Sequence, residues 1–228
     1  MKESRVQIKH VRYAKINDKY PDEESMANYY EINGLIPVVP EGTYVHPQAV
    51  LIGDVVLGQG CYIGPFASLR GDFGRIEIGD GANVQDNCTI HSFPGQGAIV
   101  EENGHIGHGA ILHGCHIGEN CLIGMNSVVM DNVELGANSI IAAQSFVKAG
   151  MVIPARSMVA GSPAKILRAI RDEELGWKKK GTEGYQALAR ACLTGLKEVR
   201  PLKEVETNRK AEFHPELSSI LDIKLKGK

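Results

Sequence analysis

Eight histidines stand in this chain, and four of them fall within His105–His116. Imidazole is a common transition-metal ligand and titrates near neutrality, so a phased group of histidines points to metal or acid–base chemistry. His91 directly follows Ile90, His113 directly follows Leu112, and His108 lies five residues ahead of His113. Three imidazoles on one zinc leave a fourth position open, the arrangement in which bound water ionises near pH 7. Polar companions occupy the same half of the chain: Arg70-Gly71-Asp72 after Leu69, and Gln85-Asp86 after Val84. Gln85 suits a hydrogen bond to a metal-held oxygen, and Arg70 and Asp86 suit a pair across a subunit boundary that orients the ligands.

Whether those rings meet depends on the elements that carry them. Aliphatic residues recur at intervals of six: Leu57, Ile63, Leu69; Ile78, Val84, Ile90; Val100, Ile106, Leu112; then Ile117 through Ile123, Val129, Leu135, Ile141 and Val147 to Ile153. Four residues later a small side chain usually follows, as at Cys61, Ala67, Cys88, Ala110, Ser127 and Ser145. A period of six fits neither a helix nor a lone strand. It fits a short strand plus a turn, the hexapeptide unit of a parallel β-helix, in which stacking supplies the core that no single unit can bury. Three units make a triangular coil of about 18 residues, and coils stack at the ~4.8 Å of strand pairing.

Counting units places His91 and His113 at equivalent points of one wall, one coil apart, provided that the interruption at Ser92–Asn103 projects as a loop. His108 belongs to the preceding face, roughly 10–15 Å from His113 at the rise of an extended chain. It cannot complete an intrachain site, but a neighbour's His108 in a trimer of parallel prisms can meet this chain's His91 and His113. The flanks read differently. Residues 1–25 are predicted to be a flexible extension, 26–160 the β-helix, 161–201 a helical segment and 202–228 a flexible tail. In the helical segment, Pro163 is placed to start a helix, Asp172 opens a short one ending near Lys180, and Thr182 caps a second. That second helix carries a stripe of Tyr185, Leu188, Cys192, Leu196 and Val199, and Pro201 stops it.

The composition excludes several classes. Over 228 residues, 25 basic against 27 acidic side chains give a net charge of −2, which argues against nucleic-acid binding and anionic membrane surfaces. No apolar run is long enough for a membrane span and no signal core opens the chain, so a cytoplasmic location is predicted. Five cysteines without a CxxC pair exclude a disulfide framework. Cys61, Cys88 and Cys121 read as core, Cys115 as structural, and His46, His105 and His116 as corner or surface residues. Lys178-Lys179-Lys180 reads as a solvated helix end.

The stretch Asn83–Ser92, with Gln85-Asp86 and Thr89-Ile90-His91, followed by His108-Gly109-Ala110-Ile111-Leu112-His113-Gly114, resembles the γ-class carbonic anhydrases. That resemblance implies a left-handed β-helical homotrimer with a metal at each interface. It implies His91 and His113 as ligands from one subunit, His108 from the next, and Arg70, Asp72, Gln85 and Asp86 as interface and supporting residues. The closer likeness, over Met26 to Pro201, is to the branch holding the phenylacetate-degradation (PaaY) and carnitine-operon (CaiE) proteins. It is carried by Tyr30–Leu35, Arg70–Ile76, Gly161–Lys165 and Trp177–Thr182. Phe73 and Pro94 stand where the carbonic anhydrases have proton-handling acids, and Ser157 where they often have a tyrosine.

A zinc-dependent homotrimer follows as the expectation, with iron(II) or cobalt(II) as alternative metals. Metal-bound hydroxide attacks the carbonyl of an acyl-CoA thioester, and Gln85 supports the oxyanion. Other readings of the same coil are CO2/bicarbonate interconversion, a hexapeptide acyltransferase that uses one histidine as base, and a non-catalytic partner of a CoA enzyme.

Overall fold

In the computed structural model, which describes residues 28–209, short strands coil into a left-handed parallel β-solenoid of about seven turns. The predicted extension over 1–25, and the predicted tail beyond residue 209, lie outside the described residues. Every aliphatic of the six-residue series from Leu57 to Ile153 is at most 3% exposed, and the small residues four positions on are buried at the corners. The inner column is therefore one continuous apolar core, and each coil completes the face of its neighbours.

Three walls result. Strand pairing on the first wall aligns Leu69, Ile90, Leu112, Val129 and Val147 in consecutive rungs. The second wall runs from Ile78 through Val100, Ile117 and Leu135 to Ile153. The third carries Val45, Ile63, Val84, Ile106, Ile123, Ile141 and Val159. One long strand, Ser68–Ile78, turns a corner and joins the first two walls. At Gly74 that strand passes so close to the Gln96 carbonyl that a Cβ would overlap it, so this position requires glycine. The loop is shorter than predicted: it occupies Ser92–Gly97, and Ala98–Val100 resumes the second wall.

The C-terminal segment differs from the two predicted helices. Gly161-Ser162-Pro163 is a turn joining Ser157–Gly161 to an antiparallel strand, Ala164–Ala169, and starts no helix. A single helix then spans Asp172–Gly195 without interruption at Gly181. Glycine weakens an isolated helix, but here tertiary contacts override propensity. Glu174, Lys178, Thr182 and Ala189 are buried on one face, and Tyr185, Leu188 and Cys192 pack with Tyr44 and Tyr62 of the third wall. The helix ends at Gly195, so Leu196 and Val199 of the predicted stripe stand exposed beyond it. Among the described residues, no helix is long and apolar enough to cross a membrane.

Candidate metal and acyl-transfer site

Pairing of Ile111–His113 with Thr89–His91 puts His113 directly opposite His91. The two outward imidazoles lie 5.2 Å apart by ring centre, and His91 Nδ1 stands 3.1 Å from His113 Nε2. The opposite nitrogen of each ring is held by a carboxylate: His91 Nε2 by Asp72 at 3.0 Å, and His113 Nδ1 by Asp131 at 2.6 Å. Arg70 in turn holds Asp72 at 2.6 Å. Carboxylate–histidine pairs of this kind fix the ring and raise its basicity toward a metal. Two nitrogens on a tetrahedral zinc, at Zn–N of 2.0–2.1 Å, stand about 3.3 Å apart, so this donor pair fits the ion.

His108 sits at the corner between the third and first walls, where Gly109 takes a left-handed φ of 69°. Corner residues stack above one another here: Gly109 N donates to Asp86 O, and Asn126 N to His108 O. His108 Nδ1 pairs with Asp86 at 2.8 Å, and Nε2 lies 3.4 Å from the Tyr185 hydroxyl. Burial, with Asp86 nearby, pushes the Tyr185 phenol above its ordinary range, so that hydroxyl stays protonated. Gln85 is buried beneath the corner: its Oε1 accepts from His108 N, and its Nε2 contacts Asn83 Oδ1 and His105 Nε2. Among the described residues of one chain, no three His, Cys, Asp or Glu side chains are grouped to hold a metal. The pair on the first wall and the single ring on the corner stand apart within one chain.

Two aromatic rings flank the pair. Phe73 packs 5.4 Å from His91 and Phe93 packs 4.9 Å from His113, both by ring centre. Phe73 thus puts an apolar edge where the resemblance expects an acid. Ser157 is buried in the small-residue column, where its hydroxyl donates to Pro154 O, so it is a corner residue.

Other sequence expectations need correction. His105 is no free surface ring: it lies beneath the helix, its Nδ1 3.4 Å from Thr182 Oγ1, and burial, aided by the Lys178 and His108 charges, holds its pKa at about 3. Thr182 caps nothing and sits buried inside the helix. Lys178 is buried, and its ammonium donates to Asn103 O and Asn120 Oδ1; desolvation lowers its pKa to about 8. Two expectations hold: Cys61, Cys88, Cys115 and Cys121 are buried, with burial pushing their thiols up to about 11 or 12, and His116 is a surface ring, between Glu101 and Glu134 on the second wall.

Sequence reasoning missed Asp131 and Tyr185 as members of the site. The signal for Asp131 was available: it lies 18 residues, one coil, beyond His113. Tyr185 was read only as a member of an apolar stripe.

The chain resembles known proteins along most of its length. A family model for bacterial transferase hexapeptides (six repeats) matches residues 37–71 and 114–149, and one for the hexapeptide repeat of succinyl-transferase matches 97–130. The carnitine operon protein CaiE of Salmonella agona is 54% identical over 200 residues, spanning 88% of this chain and 98% of that protein. Among solved structures, a hexapeptide transferase family protein from Anaplasma phagocytophilum is 36% identical, with a TM-score of 0.68 over 72% of this chain and 97% of that one. A Bacillus cereus protein provisionally described as an acetyltransferase is 33% identical, with a TM-score of 0.71 over 72% and 95%.

Proposed function

The chain belongs to the hexapeptide-repeat family of the carnitine operon protein CaiE, and on that premise we propose that it is a zinc-dependent hydrolase of acyl-CoA thioesters, active as a homotrimer. One observation carries the reading: His91, His113 and His108 each have one ring nitrogen on an aspartate, while the second nitrogens of the first two face each other at 3.1 Å and that of His108 faces the Tyr185 hydroxyl at 3.4 Å, contacts that an ion would replace. Two half-sites of this composition on different walls call for a neighbouring prism to bring its His108 to the pair. His91, His113 and a second subunit's His108 would then hold the ion. Bound zinc supplies Lewis acidity at the carbonyl and a water that ionises near neutral pH.

The chain's own residues do the rest. Asp72 and Asp131 lock the two rings, while Phe73 and Phe93 set apolar surface against them. Gln85 fixes the corner through His108 N and, by exchanging its His105 contact, offers an amide N–H to the developing oxyanion. Hydrolysis adds water across the thioester: the C–O bond forms, the C–S bond breaks, and the departing thiolate takes the proton. A site fenced by phenylalanine is less suited to CO2 hydration, which needs a proton relay to solvent. The partly exposed Arg70 is the cation best placed for CoA phosphate.

A second reading has its own support. His108, paired through Nδ1 with Asp86, has the geometry of a general base, and the two solved relatives carry transferase descriptions. The experiment is zinc-loaded, purified protein assayed for free CoA from aryl- and alkyl-CoAs, with the oligomer sized in parallel. CoA release lost on His91→Ala, His108→Ala or His113→Ala supports the hydrolase. Metal-independent acyl transfer lost on His108→Ala alone replaces it with the transferase. A monomer with fully active zinc would overturn the shared site.

A further inference from the structure

A groove of about 650 Å³ runs between the third wall and the C-terminal helix. Its floor is built from the outward residues of successive rungs, Leu122, Ile140 and Met158, and Trp177 lines it. His108, Gln85 and Tyr185 close one end. The helix covers the earlier rungs of the same column, packing on Tyr44, Tyr62 and His105, and leaves the later ones to the groove. We infer that this groove holds the acyl group of the substrate, a medium-length alkyl or aryl chain, with its carbonyl end at His108 and its far end near Met158. The inference rests on the hydrolase reading above and names its substrate class.

Size, shape and chemistry select that occupant. The volume falls within the roughly 300–1,000 Å³ typical of small-molecule sites. From the rung of His105 to that of Met158 there are three strand steps, roughly 14 Å at about 4.8 Å each. An extended octanoyl chain fits within that length with room for a few further methylenes, whereas an acetyl group falls far short of it. The pantetheine arm of CoA carries two amides, and burying them against Leu122, Ile140 and Met158 would leave them short of partners, because the charged lining residues Arg168 and Glu174 are already paired with each other. An alkyl or aryl chain suffers no such loss and gains free energy with every methylene buried.

Trp177 is the only tryptophan of the chain and lines the groove, so its emission reports occupancy without any metal. The full-length, metal-free protein is titrated with octanoyl-CoA, acetyl-CoA, CoA and free octanoate, and CoA release is measured separately on the zinc-loaded protein. Octanoyl-CoA is expected to shift Trp177 emission and to bind about tenfold or more tightly than acetyl-CoA, as several buried methylenes require. Ala160→Phe, which fills the groove, and Met158→Gln, which makes its floor polar, are each expected to weaken octanoyl-CoA about tenfold while zinc content stays that of the wild type. Octanoyl-CoA binding no better than CoA overturns the groove assignment whatever the turnover. Octanoate binding as well as its CoA ester overturns the thioester and puts a free fatty acid there. Tight octanoyl-CoA binding without CoA release from any ester keeps the groove and removes the hydrolase reading.

Discussion

Asp131 offers the sharpest test of how the rings are held. Its carboxylate accepts from His113 Nδ1 at 2.6 Å, and the aspartate side chain is only 12% exposed, so water replaces it poorly. A hydrogen bond to a charged acceptor in such a place is worth about 1.5–3 kcal/mol, which is roughly one to two decades in a binding constant. Asp131→Asn keeps an oxygen that accepts from the ring N–H and loses only the charge, so zinc affinity is expected to fall about tenfold. Asp131→Ala loses both the bond and the fixed ring orientation, and the expected fall is about a hundredfold. The assay is competition for zinc against a chelator, with thermal melting of the metal-free protein as the control for folding. If both variants bind zinc as the wild type does while His113→Ala does not, the aspartate has no part in orienting the ligand. If His113→Ala also binds normally, the metal site itself is misplaced.

Two further outcomes follow from burial. Leu112 is fully buried between Ile90 and Val129 in the inner column, so Leu112→Ala is expected to cost about 2–5 kcal/mol in denaturant unfolding, and a cost below about 1 kcal/mol would contradict a close-packed column. The Lys178 ammonium has a folded pKa of about 8 against an ordinary 10.5, so between those values the unfolded chain binds more protons and stability rises with pH. Relative to Lys178→Met, which lacks this titration, the wild type is expected to gain about 1 kcal/mol between pH 7 and pH 9 by urea denaturation; a constant difference would show that Lys178 is hydrated in the folded state.

The solenoid was legible because its physics is local and repeated. Each unit needs an inward aliphatic, which Ile117 through Ile153 supply at every sixth position, and a compact corner residue, which is Cys or Ser except at Val133 and Met151. The same counting carried His91 onto His113 across an irregular loop, since a coil that lost register would have turned one ring to another wall. The C-terminal segment has no repeat to count. There, Thr182 read as the cap of a second helix, and three consecutive lysines argued for solvent. The helix persists because its buried face finds a partner in the solenoid.

That partner is itself written in the outer column of the third wall, one residue before each inward aliphatic. Tyr44, Tyr62, Asn83, His105, Leu122, Ile140 and Met158 point outward there, and a wall so largely apolar on its outer side must be covered. The helix covers the rungs up to His105, and this contact desolvates His105 and, through Gln85, braces the corner of His108. A helix that reads as an appendage is thereby tied to a candidate ligand some seventy residues earlier in the chain. Removing it would be expected to disturb both the groove and the His108 half-site, while leaving the His91–His113 pair, which depends on strand register and two aspartates, in place.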